Sequence, residues 1–547
     1  MTNWIDYQDL ESSDGTFSRL FVDYVTDYQK VRQFYGGNPQ DANDWRQLLQ
    51  FVGARNIDRS GLAQILSRQN RDFHCGVKSL ANIDLLRDDN CVAVVTGQQV
   101  GLLTGPLYTI YKAITAVKLA DKLSREFSEY RFVPIFWLAG EDHDFEEVSS
   151  VSVYDKAGEL VHLDYQTEGK ESEANRGAVG EIELDESIEL VFKSAEEALL
   201  PTEFKPKVLE LFKKAYQQGM TFNKAFVHLM NVLLEDSGLI FLNSNDAEIK
   251  QLLLPVFRKE LAETPKSCQL VIDQSAVLER QYHAQVKPRS INLFLFHEKG
   301  RYPIEPHPNG YFLKGTRQHF SKTELDSLLT EKPERFSANV VLRPICQDTL
   351  LPTIAYVAGP SELAYFGQYS TLYKEFGLRQ PIIYPRASIT IVEEKVEKVL
   401  TRFSLEPLAL FGNIEFLKQQ VAEQISDLKA DDFFAEASHS VKESLDQLKP
   451  AIQSIDSTLL PALGHTLEKI NTHLNVLKEK TIAAQKRQHE VSLRQLDKAA
   501  ANLFPSSDFQ ERQVNILYFL NKYGPEFVRW LFREIQIDKL KHQLLRI

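Results

Sequence analysis

The chain is poor in cysteine. Cys75, Cys91, Cys268 and Cys346 are scattered over 547 positions with no CxxC pair among them, so neither a disulfide framework nor a zinc knuckle is indicated. Long apolar runs are missing as well. No stretch of about 18 apolar residues occurs, so no membrane-spanning helix is expected, and the mean hydropathy is −0.28. The opening residues, MTNWIDYQDLESSDG, are acidic and polar and lack the basic and apolar regions of a secretory signal. The expectation is a cytoplasmic protein with no membrane partner. A basic stripe is absent too: 63 Lys and Arg stand against 75 Asp and Glu, a net charge of −12. Nucleic-acid surfaces need clustered cations, so no nucleic-acid partner is expected. A small anionic ligand in a local basic pocket stays open.

What is present is ordinary for a globular protein, with 43% hydrophobic and 25% charged residues, in a length that suits two to four domains of roughly 100–200 residues each. The most informative stretch is CVAVVTGQQVGLLTGPLYTIYKAITAVKL, from Cys91. Val92 to Val95 read as a buried strand, followed by a loop with Gly97, Gly101 and Gly105 and an amphipathic helix opened by Pro106, whose missing N–H has no partner in a first helical turn anyway. A strand that runs through glycines into a helix directs amide groups and the positive helix end at one spot, which favours an anion such as a nucleotide phosphate. Gln98, Gln99 and Thr104 add neutral hydrogen-bonding groups there, with Tyr108 just beyond. The spacing is neither GxGxxG nor GxxxxGK[ST], and a turn that merely lets the helix settle on its sheet explains it equally well. Lys112, six residues into the helix, is read as a surface residue in preference to one leaning back toward phosphate.

Two similar units follow. Phe132 to Leu138 form a near-continuous apolar run, the mark of a strand covered on both faces, and end in Gly140-Glu141-Asp142-His143-Asp144. Three carboxylates beside one imidazole could orient a general base, ligate a metal or hold a cationic ammonium group; a hydrated acidic strand end is the plain alternative. Zinc is disfavoured because no partner histidine lies at helical or hairpin spacing. A strand near Ile354–Val357 leads into Gly359, Ser361 and Glu362. Strand–helix–strand order implies parallel crossovers. In open parallel sheets ligands bind beyond the carboxyl ends of the strands, where strand order reverses. These three turns are therefore expected to converge on one cleft. After a last strand, Pro385-Arg386-Ala387-Ser388 reads as a loop in which Arg386 could neutralise a polyphosphate, with Ser388 and Thr390 capping the next helix. Arg343 and Asp348 read equally well as a structural ion pair.

The division expected along the chain is an N-terminal helical segment (1–88), the first half of the core (89–150), connecting insertions with an α/β unit and β-hairpins (151–340), the second half of the core (341–400), a helical coiled-coil domain (401–510) and a C-terminal helical segment (511–547). Within the insertions, residues 237–261 read as a strand then a helix capped by Ser244 or Asn245. Lys299-Gly300 and Asn309-Gly310 signal hairpin turns, and Ser321 with Glu324 forms a capping box. Val441, Leu445, Leu448, Ile452, Ile455 and Leu459 step by four and three, as in a coiled coil. The phase slips near Pro461, and Leu463, Leu467, Ile470, Leu474 and Leu477 resume it. Two helices joined near Pro461 and one helix with a stutter both fit. Self-association is the favoured use, with an intramolecular helical hairpin as the alternative.

Laid end to end, the motifs resemble a degenerate class I aminoacyl-tRNA-synthetase core. GLLTGP stands where that family's His-Ile-Gly-His signature would open the first helix, and PRASIT where its mobile Lys-Met-Ser-Lys-Ser loop would lie; both histidines and both lysines are missing. A closer resemblance is carried by GQQVGLLTGPLYTIYK, WLAGEDHDFEEV, RPICQDTLLPTIAYVAGPSELAYFGQ, YPRASIT and LFPSSDFQER. They are similar to the cysteine-adding BshC family of bacillithiol biosynthesis, over essentially the whole chain. The resemblance implies an α/β fold: a Rossmann-like parallel-sheet core with connecting insertions, plus an α-helical coiled-coil domain that forms a homodimer. It also implies a ligase that adds L-cysteine to glucosaminyl-malate. Amide formation needs an activated carboxylate, so ATP is expected, with ADP or AMP as product left open. No metal-binding motif is visible, and magnesium is compatible only as a companion of ATP. Nucleotide or substrate would be bound by Gly97, Gln98, Gln99, Gly101, Thr104, Gly105, Pro106 and Tyr108, by Gly140, Glu141 and Asp144, by Gly359, Ser361 and Glu362, and by Arg386 and Ser388. Asp142 and His143 would position or deprotonate the attacking amine, or hold the amino group of cysteine. The competing readings are a catalytically silent nucleotide-binding scaffold with an interaction arm, and a tRNA-linked amino-acid activator, which the acidic balance disfavours.

Overall fold

A computed structural model describes residues 3–14, 17–166, 175–425 and 430–547. It separates into two units, Met1–Ile391 with Pro505–Ile547, and Val392–Phe504. Five strands make the heart of the first unit: the first core strand Cys91–Gln98, the second Arg131–Leu138, the third Ile240–Asn243, the fourth Thr353–Ala358 and the fifth Ile382–Pro385. They lie side by side in the order fifth, fourth, first, second, third, and every neighbouring pair is parallel. Val92 to Val95, Ile135, Phe136 and Ile354 to Val357 are buried, as continuous apolar runs require when both faces of a sheet are covered. The strand order reverses between the first and fourth strands. There the Thr96 hydroxyl donates to the Val357 carbonyl at 3.0 Å.

The insertions carry a hairpin (Ser150–Tyr154 with Leu160–Asp164), three helices between Ile188 and Leu233, and an antiparallel sheet whose central members are Leu293–His297 and Gly300–His307. The hairpin turns are Glu298-Lys299 and Pro308-Asn309, with Gly300 and Gly310 opening the strands that follow, and the Ser321–Glu324 capping box is formed at 3.2 and 2.7 Å. The helix Ala247–Ala262 is capped by Asp246, which accepts from the Glu248 amide at 2.9 Å. Ser244 and Asn245 are not its cap; Ser244 donates to the Leu138 carbonyl instead.

Two expectations on the C-terminal side are corrected. Ser388 and Thr390 do not cap a helix: Ser388–Val392 is a strand in a three-stranded sheet with His542–Arg546 and Trp4–Ile5. Ile389 and Ile391 are fully buried, so the alternation that looked like a loop and cap places Ser388 and Thr390 together on the other face. Residues 511–547, expected as a C-terminal helical segment, carry short helices up to Glu534 and then end in the strand His542–Arg546. Phe509, Val514, Ile516 and Leu517 are buried, and this apolar content returns the chain to the first unit.

In the second unit the helices Ala430–Asp446 and Leu460–Leu503 pair with one another, with Ser438 Oγ donating to Asn471 Oδ1 at 2.8 Å. These two helices thus form an intramolecular hairpin, while Leu448, Ile455, Leu459 and Leu477 of the expected stripe stay exposed. Pro461 lies in the first turn of the second helix, where it starts that helix without a kink. Among the described residues no helix is long and apolar enough to cross a membrane.

Candidate functional site

A cavity of about 720 Å³ opens at the carboxyl edge of the sheet. It is lined by Gly97, Gln98 and Gln99 after the first strand, by Ala139 and Glu141 to His143 after the second, and by Gly359 to Glu362 after the fourth. The three turns converge on the point where strand order reverses. Because the first strand lies between the other two, its turn separates a wall built from the fourth strand from one built from the second. Gly97 is required by close approach: a Cβ there would stand 3.0 Å from the Trp137 carbonyl oxygen.

On the fourth-strand side the main cation is Lys112, which is not a surface residue. It is 3% exposed and pairs with Glu362, while its Nζ donates to the Gly97 carbonyl and to Gln98 Oε1, both at 2.9 Å. Burial pushes the Lys112 ammonium down, opposed by Glu362. Burial would raise the Glu362 carboxyl, but Lys112 and the Gly359 amide outweigh it and hold it below its usual range. Glu362 also accepts from the Tyr356 hydroxyl at 2.8 Å. Arg343 does not pair with Asp348. Its guanidinium lies 5.1 Å from the centre of the Tyr356 ring and donates to Gln347, whereas Asp348 accepts from Tyr373 and Gln347. Arg386 lines the same wall and is paired with Glu511 at 2.7 Å.

On the second-strand side Asp142 accepts from Gln99 Nε2 at 2.9 Å, from the His143 amide at 2.8 Å and from Arg301 Nη1 at 3.3 Å. Burial pushes its carboxyl up. The His143 hydrogen bonds, the Arg301 charge and Gln99 outweigh that and hold it well below the usual range. Asp142 is therefore a fixed, ionised acceptor. His143 Nδ1 stands 3.3 Å from it, on a half-buried ring 5.8 Å from Phe294. Arg301 arrives from the insertion hairpin, stacked 4.0 Å over the Phe294 ring and tied to Ser337 and the Ala338 carbonyl at 2.8 Å. Glu141 pairs with the fully buried Lys250 at 2.6 Å, and Glu147 accepts from Gln99 at 2.8 Å.

Sequence reasoning missed Arg301, Lys250 and the cavity cations Lys287 and Arg289. One signal was available for two of them. Arg301 sits in a hairpin strand beside an apolar run, and Lys250 shares a helix face with Ile249 and Leu253, so both are charges placed where burial is expected.

Several candidates do not line the cavity: Gly101, Thr104, Gly105, Pro106, Gly140, Asp144 and Ser388. The anion cradle expected at residues 101–106 is closed by protein. Asn515 Nδ2 donates to the Leu103 and Gly105 carbonyls at 2.8 and 2.6 Å, the Leu107 amide donates to the Val514 carbonyl at 2.9 Å, and the Tyr216 hydroxyl lies against Thr104 and Gly101. Gly140 abuts Asn223, 2.5 Å from where its Cβ would be. Asp144 caps the short helix Phe145–Val148, and Ser388 is buried against Glu511 and His542.

The lining holds Lys112, Lys287, Arg289, Arg301, Arg343, Arg386 and Arg512 against Glu141, Asp142, Glu147 and Glu362. That excess of cations in an acidic chain suits an anionic ligand, and the volume suits one the size of a nucleotide, in a range of roughly 300–1,000 Å³. Gly359 leaves room for it: a Cβ would meet Glu362 Oε2 at 3.4 Å, Arg386 Nε at 3.7 Å and Lys112 Cε at 4.0 Å. Among the described residues no group of three or more His, Cys, Asp or Glu could hold a metal ion.

A family profile described as "Bacillithiol biosynthesis BshC, N-terminal Rossmann-like domain" matches residues 5–387, and one described as "Bacillithiol biosynthesis BshC, C-terminal coiled-coil domain" matches residues 389–547. The chain is 41% identical over 536 residues to a Salinibacter ruber protein named "Putative cysteine ligase BshC", covering 97% of each. It is 38% identical over 551 residues to a Chlorobaculum tepidum protein of the same name, again covering 97% of each. A Bacillus licheniformis protein of that name is 31% identical over 513 residues, covering 92% of this chain and 94% of its own.

Proposed function

Because the chain belongs to the BshC family of bacillithiol biosynthesis, we propose that this ligase joins L-cysteine to glucosaminyl-malate in an amide-forming reaction driven by ATP. The observation that carries this reading is the convergence of three strand-end turns on one cavity, with cations on the fourth-strand side and the acidic turn on the other. An amide does not form from a free carboxylate and an amine in water, and ATP supplies the activation that makes the cysteine carboxyl electrophilic.

The residues present fit that ligand. Arg343 and Arg386 line the cavity and would hold its phosphates, with Lys112 adding charge beside Gly359 and magnesium as a companion of ATP. Asp142, ionised and fixed by Gln99 and Arg301, would hold an ammonium group, either that of cysteine or that of the incoming glucosamine. His143, half exposed beside it, would take the proton that the attacking amine loses. Positioning and charge stabilisation are what such a site contributes to the rate. The same proposal includes a homodimer through the second unit. Phe416, Phe433, Ile455, Leu477 and Val491 are more than half exposed there, and self-association would cover them.

The test is reconstitution. Purified protein with ATP, L-cysteine and glucosaminyl-malate should yield the cysteinyl amide by mass spectrometry, with one nucleotide released per product, and the identity of that nucleotide gives the activated species. ATP bound without turnover by folded protein would favour the silent scaffold, and absence of both would overturn the proposal.

A further inference from the structure

Arg386 is gripped from one side only. Its side chain is 4% exposed, its amide donates to the Ala358 carbonyl, Nη1 donates to the Ala387 carbonyl at 2.9 Å and Nη2 to Glu511 Oε1 at 2.7 Å. Among the described residues Nε has no hydrogen-bond acceptor. It borders the cavity beside Gly359, while the Tyr108 ring lies 5.6 Å from the guanidinium carbon.

Glu511 comes from the segment that returns to the first unit. It is 1% exposed, and three donors hold it: Arg386 and Ser388 Oγ (2.9 Å) at Oε1, and the Ile389 amide (2.7 Å) at Oε2. Behind it, His542 stands between Ser388 and Thr390, 2.9 Å from each hydroxyl. Because the Ser388 hydroxyl donates to the carboxylate, Nδ1–H of His542 donates to Ser388 Oγ and Nε2 accepts from Thr390. The chain of bonds thus runs from the last strand to the cavity wall. Stability alone does not require such a buried pair, since apolar replacements of similar volume are often neutral or better. This arrangement fixes the two Nη atoms and leaves the Nε–H without an acceptor beside Gly359, at the cavity lining.

We propose that Glu511 is a positioning residue that turns the Nε edge of Arg386 toward an anionic oxygen of the ligand, phosphoryl or carboxylate, so that residues 505–547 complete the site. This rests on the reading above that Arg386 meets an anionic group of a substrate.

The test is calorimetric binding of tripolyphosphate and of L-malate to the full-length protein, to Glu511→Gln, to Arg386→Lys and to the double variant, at matched melting temperature. The wild type binds at least one probe, and which one identifies the anion class. Glu511→Gln weakens it about tenfold, the scale seen when a group that orients a ligand-binding side chain is lost. The double variant is no weaker than Arg386→Lys, because the two act as one unit. If Glu511→Gln does not fold, Ser388→Ala is read in its place and weakens binding about threefold, less than loss of the carboxylate itself because Arg386 and the Ile389 amide still hold Glu511. Unchanged affinity in the variant, additive effects, or a wild type that binds neither probe overturns the proposal. If anion affinity follows the expected pattern but no amide forms, the ligase reading fails and this one stands. If amide formation persists in Glu511→Gln with unchanged KM, the reverse holds.

Discussion

Lys112, on the helix after the first core strand, and Glu362, on the helix after the fourth, form an ion pair across the point where strand order reverses, with Lys112 3% and Glu362 20% exposed. The pair joins two of the three turns that make the cavity. Lys112→Met leaves Glu362 with the Gly359 amide and the Tyr356 hydroxyl but without its paired cation, the Arg343 charge acting only from farther off. Removing one member of a buried pair typically costs about 3–5 kcal/mol, whereas removing both costs much less. Urea denaturation of Lys112→Met should therefore show a loss of about 3 kcal/mol, part of which returns in Lys112→Met with Glu362→Gln. Equal stability of the single variant and the wild type would mean that the pair contributes nothing to the fold.

Gly359 separates fold from ligand. Its φ is −73°, an ordinary value for any residue, and a Cβ would make only normal contacts, the nearest at 3.4 Å. Gly359→Ala should melt within a degree or two of the wild type, in line with the small effect of most unstrained substitutions, about 0.5 kcal/mol. It should still lower ligase activity, chiefly by raising KM for ATP, because the methyl group enters the space between Arg386, Glu362 and Lys112. An unchanged KM would place the nucleotide elsewhere in the cavity.

The acidic turn gives a prediction about turnover. Asp142→Asn keeps the shape but removes the charge that Gln99 and Arg301 hold in place, and an amide cannot pair with an ammonium group. Activity should fall about a hundredfold, within the usual range for loss of one positioned charge, with folding intact by circular dichroism. Full cysteine ligation in that variant would remove the acidic turn from the mechanism.

Legibility in the sequence followed a physical divide. The core strands could be read because burial on both faces writes a continuous apolar run, and each of the three turns follows directly from such a run. Lys112 was misread because helical periodicity assumes an exposed face. Its neighbours Ile110, Tyr111, Ala113, Ile114 and Thr115 are all buried, so the helix offers Lys112 no water to reach. The partners that fix the site were invisible for a different reason. Arg301 meets Asp142 across 159 positions, and Glu511 meets Arg386 across 125. Local patterning records which face of an element is apolar, and it carries no information about which distant charge completes a pair. The glycine loop at residues 101–106 failed for the same reason, since the groups that close it, Asn515 and Tyr216, lie far along the chain.

His542 supplies a pH signature of the segment that closes the site. It is fully buried between Ser388, Thr390 and Phe509. Burial and the Arg386 and Arg512 charges push it down to about 4, against the opposing pull of Glu511. An exposed histidine in the unfolded chain titrates near 6.5. Between those values the unfolded state binds more protons, so stability rises with pH in that window. The contribution is complete above about pH 6.5 and is lost as pH falls toward 4, about 3 kcal/mol at most for a shift of this size. The Glu511 carboxyl is itself held below its usual range, so its own loss belongs to lower pH and does not blur this window. His542→Asn keeps a side-chain donor for Ser388 and removes the titration. Urea midpoints measured at pH 7 and pH 4.5 should therefore differ less in the variant than in the wild type. Parallel losses in the two proteins would mean that His542 is not held neutral in the fold, and its Nε2 would then donate to Thr390 rather than accept from it.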